Sequence, residues 1–245
     1  NDMLKLKNPY IQWSLFFVLL GVSIRLIHID QPILEGAVTR QIQTAVATYN
    51  LLINGFDFLY PQTNLLPEPR YFILEPPVYN LVVALLYKIF GVHEYLGRLV
   101  SVSAFVGTAF YLYKIAARNL NESIGRAAVF FFTFSPLSIL FTRAFQPDPT
   151  ALFFSVGLVF YFVEWVRGND RAYWTACAFG AVAFFVKQTF LFIMLPLVVY
   201  GIVRKGRGFL RDKKTFLFFI ILLPAPILWS LHAKQVAQAF PVNHF

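Results

Sequence analysis

Apolar runs set the rhythm of this chain. They occupy roughly 11–29, 77–92, 98–117, 124–142, 150–166, 172–186, 189–203 and 215–232, and most are joined by short polar stretches. Crossing about 30 Å of hydrocarbon takes about 20 helical residues, with a lower limit near 17. The pattern therefore predicts an all-α integral membrane fold, since a helix satisfies its own backbone within lipid. One connector breaks the rhythm. Asp30 to Pro77 is polar and Pro-rich, and a connector of that length is usually functional or disordered. Its aromatic residues and periodic apolar positions argue against disorder. The run 77–92 is the other outlier, being short and interrupted by Asn80 and Lys88.

Composition agrees with a membrane fold. The chain is 58% hydrophobic and only 13% charged, with 29 Phe in 245 residues, against about 25% charged in soluble domains. The net charge of +9 would point to nucleic acid in a soluble domain. Here the basic residues flank apolar runs, so they are read as a sidedness signal and no nucleic-acid partner is expected. Cys177, the single cysteine, lies within an apolar run, which excludes a disulfide framework and a thiolate metal site. The chain ends abruptly at Phe245 and reads as the N-terminal part of a longer protein. Residues 1–245 are expected to form a single transmembrane catalytic module.

Charge bias decides whether 77–92 crosses. If it lies in the interface and the N-terminus is inside, one side receives 13 Lys/Arg against 5 acids, and the other 8 against 7. If it crosses, the basic block Arg204–Lys214 moves outside. The positive-inside rule favours the first arrangement. It predicts seven spans, a surface helix over 77–92, and a first extracytoplasmic loop of residues 30–97. The outer side then also collects Arg143–Pro149 and Lys187.

Within the loop, Val38, Ile42, Ala45, Val46 and Tyr49 form one helical stripe, with Arg40, Thr44 and Thr48 opposite. Such a helix suits the headgroup level, its polar face turned to a cavity. An amphipathic surface helix without chemistry fits the same pattern. The Arg40-Gln41 pair beside Glu35 favours a site, because a guanidinium fork matches phosphate. Glu75 before Pro76-Pro77 could complement a helix N-terminus or act in a site. Asp148 could cap the helix beginning Pro149-Thr150, or face the first loop as a second carboxylate. Lys187 between two apolar runs lines a water-filled site or snorkels.

Taken in order, the acidic first loop, Arg40-Gln41-Ile42-Gln43-Thr44-Ala45, Glu75-Pro76-Pro77, Phe90-Gly91-Val92-His93-Glu94-Tyr95-Leu96-Gly97-Arg98-Leu99, Ser135-Pro136-Leu137 and Arg143-x-Phe-x-Pro-Asp148 resemble the lipid-linked-sugar glycosyltransferases. These are the protein O-mannosyltransferase and aminoarabinose transferase group, families 39 and 83, with the GT-C fold. The resemblance covers roughly residues 11–205. It implies a GT-C-type bundle in a plasma or inner membrane, with its active site on the extracytoplasmic face. The implied donor is a polyprenyl-phosphate sugar, and the acceptor a lipid, glycan or protein. It further implies Glu35 as the base, with Asp30 competing for that role, and Asp148 as the second acidic position. Arg40 and Lys187 fall near the donor phosphate, with Gln41, Glu75 and Arg143 as further substrate-binding positions. The chain departs from the pattern in two places. Glu35 stands alone where an Asp-Glu pair is usual, and Glu75 stands where the aminoarabinose group often has Lys.

The chemistry suits these residue types. Polyprenyl phosphate is a competent leaving group, so the reaction needs a carboxylate to take the acceptor's proton and fixed cations for the developing phosphate charge. No Gly-rich nucleotide loop is evident and no cofactor is required. Room remains for a divalent metal between the acids of the two outer loops, although no ligand spacing demands one. A transporter or flippase for a lipid-linked or anionic substrate is the alternative. Such proteins hold their polar groups near the midplane on broken helices, whereas here the ionisable residues sit at the outer ends of the runs.

Overall fold

The computed structural model describes residues 9–33, 38–64 and 66–241. The chain is all-α, with no strand among the described residues and one isolated antiparallel bridge between Gln62 and Tyr71. In chain order the helices are α1 (Pro9–Leu26), α2 (Val38–Ile53), α3 (Val78–Phe90), α4 (Glu94–Asn119), α5 (Glu122–Phe134), α6 (Pro136–Arg143), α7 (Asp148–Val166) and α8 (Arg171–Val186). A 3₁₀ segment, Gln188–Ile193, leads into α9 (Met194–Lys205), and α10 (Lys213–Leu222) is followed by α11 (Pro224–Ala239).

Among the described residues, five helical stretches are long and apolar enough to cross a bilayer, and six if the pair α5–α6 is one span. That pair is bent by 65°. The cause lies in Ser135-Pro136. Pro136 has no N–H to give the preceding turn, and it holds Ser135 extended at ψ 127°. Outward positions such as Leu195 and Val203, 72% and 76% exposed, are the lipid-facing surface of such a bundle. The largest core cluster gathers Phe162, Trp165, Phe184, Phe209 and Phe218 from α7 through α10.

Polar contacts sort the helix ends into two groups. At one end Arg118 of α4 pairs with Glu164 of α7 at 2.8 Å, and Lys214 of α10 pairs with Asp170, which precedes α8, at 2.7 Å. The Lys214 hydrogen bond holds the Asp170 carboxyl below its ordinary range. At the other end Arg98 of α4 donates to the carbonyls of Ile29 and Gln31, both at 2.7 Å, and Arg143 of α6 to that of Ile27 at 3.1 Å. Lys187, after α8, meets Asp148 at the start of α7. The expected seventh span corresponds to α8, whose 16 residues fall just short of the usual length.

The helix α3 begins and finishes at one end. Before it, Glu75 joins Lys187, and after it, Arg98 holds the residues following α1. Tyr79 Oη donates to Gly97 O at 2.8 Å, and burial pushes this phenol's ionisation up, so it remains a donor. Both ends of α3 therefore lie at the same end of the bundle. On α2 the expected polar face turns inward: Thr44 and Thr48 are buried while Tyr49 is exposed. Asn80 of α3 fixes that register by donating to Thr44 O and Thr48 Oγ1, both at 2.9 Å.

Candidate active site

Four of the side chains singled out in the sequence meet at the end shared by the loop and α3. Arg40, in the first turn of α2, pairs through Nη2 with Glu75 Oε2. The other oxygen of Glu75 lies 3.4 Å from Lys187 Nζ, which donates to Asp148 Oδ1 at 2.7 Å. The result is one chain of alternating charge, Arg40–Glu75–Lys187–Asp148, closed by none of its members alone. Local structure aims each group. Asp148 occupies the first turn of α7 and Lys187 follows the last turn of α8. An acid at a helix N-terminus and a base at a C-terminus both complement the helix dipole, and antiparallel neighbours bring the two together. Among the described residues the Asp148 carboxylate takes no backbone N–H, and its partner is Lys187.

Glu75 is set by its neighbours. Pro76 and Pro77 start α3 directly after it, and Trp229 Nε1 on α11 donates to Leu74 O at 3.2 Å. All four charged groups are partly screened from solvent, with side-chain exposures of 17–30%. A narrow pocket of about 30 Å³ lies beside them, lined by Arg40, Thr44, Glu75, Asn80 and Pro147 among others. That is water-sized. On the far side of Asp148 opens a larger groove of about 390 Å³ between α5–α6, the start of α7 and Phe190. Its walls are apolar (Phe132, Leu137, Phe141, Leu152), with Ser135, Ser138, Thr142 and Asp148 as the polar members. Asp148 belongs to both the charge chain and the groove.

The remaining expected residues take other positions. Glu35 lies outside the described residues. Asp30 is exposed and has no hydrogen-bond or ion-pair partner among the described residues. Gln41 is buried, and its Oε1 accepts from Phe145 N at 2.8 Å, tying α2 to the loop that leads to Asp148. Arg143 donates to Ile27 O and to His28 O at 3.3 Å, bracing the exit of α1. Among the described residues no three His, Cys, Asp or Glu side chains gather as a metal-ligand set.

Several structural members escaped the sequence reading. Asn80 registered only as an interruption of an apolar run, yet it fixes α2 against α3. Arg98 and Glu94 appeared within a motif without a role. Arg98 grips three carbonyls of residues 29–32, and Glu94 Oε2 accepts from Ile33 N at 3.1 Å. Arg25 entered only as one of the eight basic residues counted on the outer side, yet it is fully buried, and an arginine inside an apolar run is itself a signal.

An all-α bundle with several membrane-length apolar helices, and a half-buried charge cluster beside an apolar groove at one end, is the architecture of a polytopic membrane protein. Comparison with known families makes this specific. Residues 74–229 match the dolichyl-phosphate-mannose-protein mannosyltransferase family, and the chain belongs to that family of membrane glycosyltransferases of the GT-C kind. An uncharacterized protein of Aquifex aeolicus (strain VF5) is 29% identical over 177 residues, covering 71% of this chain and 39% of the relative. The chain therefore spans well under half the length of that relative. No solved structure matches.

Proposed function

We propose that this chain is the catalytic module of an inverting glycosyltransferase that moves a sugar from a polyprenyl-phosphate donor to a lipid, glycan or protein acceptor on the extracytoplasmic face. The observation that carries the proposal is the junction at Asp148 of a charged cluster with an apolar groove. A lipid-linked sugar phosphate has these two parts, and family membership makes it the natural substrate class.

In this reading the acceptor hydroxyl attacks the anomeric carbon and its proton passes to a carboxylate. The bond to the phosphate oxygen breaks on the opposite face, and configuration inverts. Glu35 is the preferred base and Asp30 its rival. Polyprenyl phosphate leaves as an anion needing no strong acid, and Arg40 and Lys187 stabilise its charge. Both cations hold carboxylate partners in the structure. Donor phosphate therefore competes with Glu75 and Asp148 for them, and binding entails an exchange of anions.

The test is transfer by purified full-length protein from polyprenyl-phosphate mannose, glucose and aminoarabinose, with the product's anomeric configuration read by NMR. Inverted product from one donor, lost in Glu35→Gln without loss of membrane insertion, is expected. Near-normal transfer by that variant reassigns the base to Asp30. No transfer from any lipid-phosphate sugar, alongside movement of a lipid-linked substrate across vesicles, establishes the transporter alternative.

A further inference from the structure

Arg25 places a full charge inside the first span, and among the described residues no carboxylate pairs with it. The side chain is completely buried, and its guanidinium carbon lies 3.7 Å from the centre of the Phe105 ring. Nε donates to Thr142 Oγ1 at 2.6 Å, and Nη2 to Ser138 Oγ at 3.0 Å. Thr133 O receives both terminal nitrogens at 3.2 Å, and Gly21 O receives Nη1 at 3.0 Å. All five guanidinium donors are thereby engaged, and every acceptor is neutral.

These bonds repair the break in the third span. In an unbroken helix the Thr133 carbonyl would take the N–H of residue 137, and the bend at Ser135-Pro136 releases it. Arg25 supplies the replacement from α1. It also holds Ser138 and Thr142, one turn apart on α6, so it grips both halves of the bend.

The charge remains to be balanced. A buried ion is costly without a counter-charge even when its hydrogen bonds are made. Ser138 offers the route to one. Its oxygen accepts from Arg25, its proton is given to no acceptor among the described residues, and it lines the groove. The Thr142 proton, by contrast, goes to Ser138 O at 2.6 Å. The one acid in the groove, Asp148, pairs with Lys187 and not with Arg25.

We propose that the groove selects an anionic phosphate-ester headgroup, with Ser138 as the donor to the headgroup, Arg25 as its buried counter-charge, and Phe132, Leu137 and Phe141 along its apolar chain. Arg25 acts as a positioning residue, through Ser138 and through the bend. The inference rests on the transferase reading for naming polyprenyl phosphate as the occupant.

The experiment titrates full-length protein, in nanodiscs of neutral lipid, with polyprenyl phosphate, the matching polyprenol, dodecyl phosphate and inorganic phosphate. Wild type should prefer polyprenyl phosphate to polyprenol by about tenfold or more, the scale of one charge-assisted hydrogen bond. Ser138→Ala and Arg25→Gln should each lower that ratio severalfold, to the share that Arg40 and Lys187 supply, and Arg25→Lys should keep part of it. Should Arg25→Gln fail to fold, Ser138→Ala decides alone. Equal affinity of wild type for phosphate and alcohol overturns the proposal, as does a full ratio retained in Ser138→Ala. Dodecyl phosphate bound with the same Ser138 dependence supports the anion site, whereas inorganic phosphate bound equally tightly overturns the role of the apolar chain. Because sugar transfer is not read, an intact Ser138-dependent ratio in a protein that transfers nothing sinks the transferase reading alone.

Discussion

Lys187 is the link whose removal should be felt most in the charge chain. It meets Glu75 at 3.4 Å and Asp148 at 2.7 Å. In Lys187→Met these two carboxylates face each other across at most about 6 Å, where unit charges repel by about 3 kcal/mol at an effective dielectric near 20. Partial exposure and the Arg40 partner left on Glu75 reduce this, so a loss of about 2 kcal/mol is expected. Asp148→Asn in the same chain removes the repulsion, and the double variant should recover much of it, with a coupling of about 1–2 kcal/mol. Because polytopic proteins commonly unfold irreversibly in detergent, the measurement is the inactivation half-life at one temperature for wild type, both singles and the double. Each ~1.4 kcal/mol corresponds to about tenfold in rate. Single variants that add independently, or a Lys187→Met protein as long-lived as wild type, would refute the linked arrangement.

Two further outcomes test packing and topology. A Cβ at Gly97 would run into the buried Phe145 ring, so Gly97→Ala should cost about 1–3 kcal/mol, read as a shorter inactivation half-life. An unchanged half-life would mean that the ring moves aside freely. Gly208 has open space around it and the sole cysteine, Cys177, is buried. A Gly208→Cys protein should react with a membrane-impermeant maleimide only from the cytoplasmic side, and labelling from outside would mean that α3 crosses the bilayer.

Much of the fold was legible because span length and flanking charge are local properties. The all-α, multi-span character follows from run lengths; of the seven spans expected, five to six helical stretches among the described residues are long and apolar enough, and α8 falls short. What remained hidden depends on distant contacts. Pro136 announces a break in the third span, but nothing near it announces that Arg25, more than a hundred residues earlier, repairs it. The site divides in the same way. Arg40, Glu75, Asp148 and Lys187 each stood out as ionisable residues at the ends of apolar runs, yet each also had a bland reading, and only tertiary packing joins them into one chain. Gln41, expected beside phosphate, uses its carbonyl oxygen on Phe145 N–H, a bond between residues 104 positions apart that no periodicity predicts. Glu35 remains a reading of sequence and resemblance.

The placement of α3 has a consequence for how the chain is made. Its 13 residues are apolar enough to tempt the insertion machinery, and every later segment inherits its orientation from whether they are threaded through or passed over. In the surface-helix reading, Asn80 and Lys88 mark the segment as one to pass over. Asn80 also locks α3 onto α2, and Lys88 lies 5.5 Å over the Phe56 ring. If α3 lies at the surface, the same two residues keep the nascent helix out of the lipid and later fasten it in place. Replacing both by leucine would do more than loosen a surface helix: it would offer the translocon an eighth span and turn the remaining six inside out.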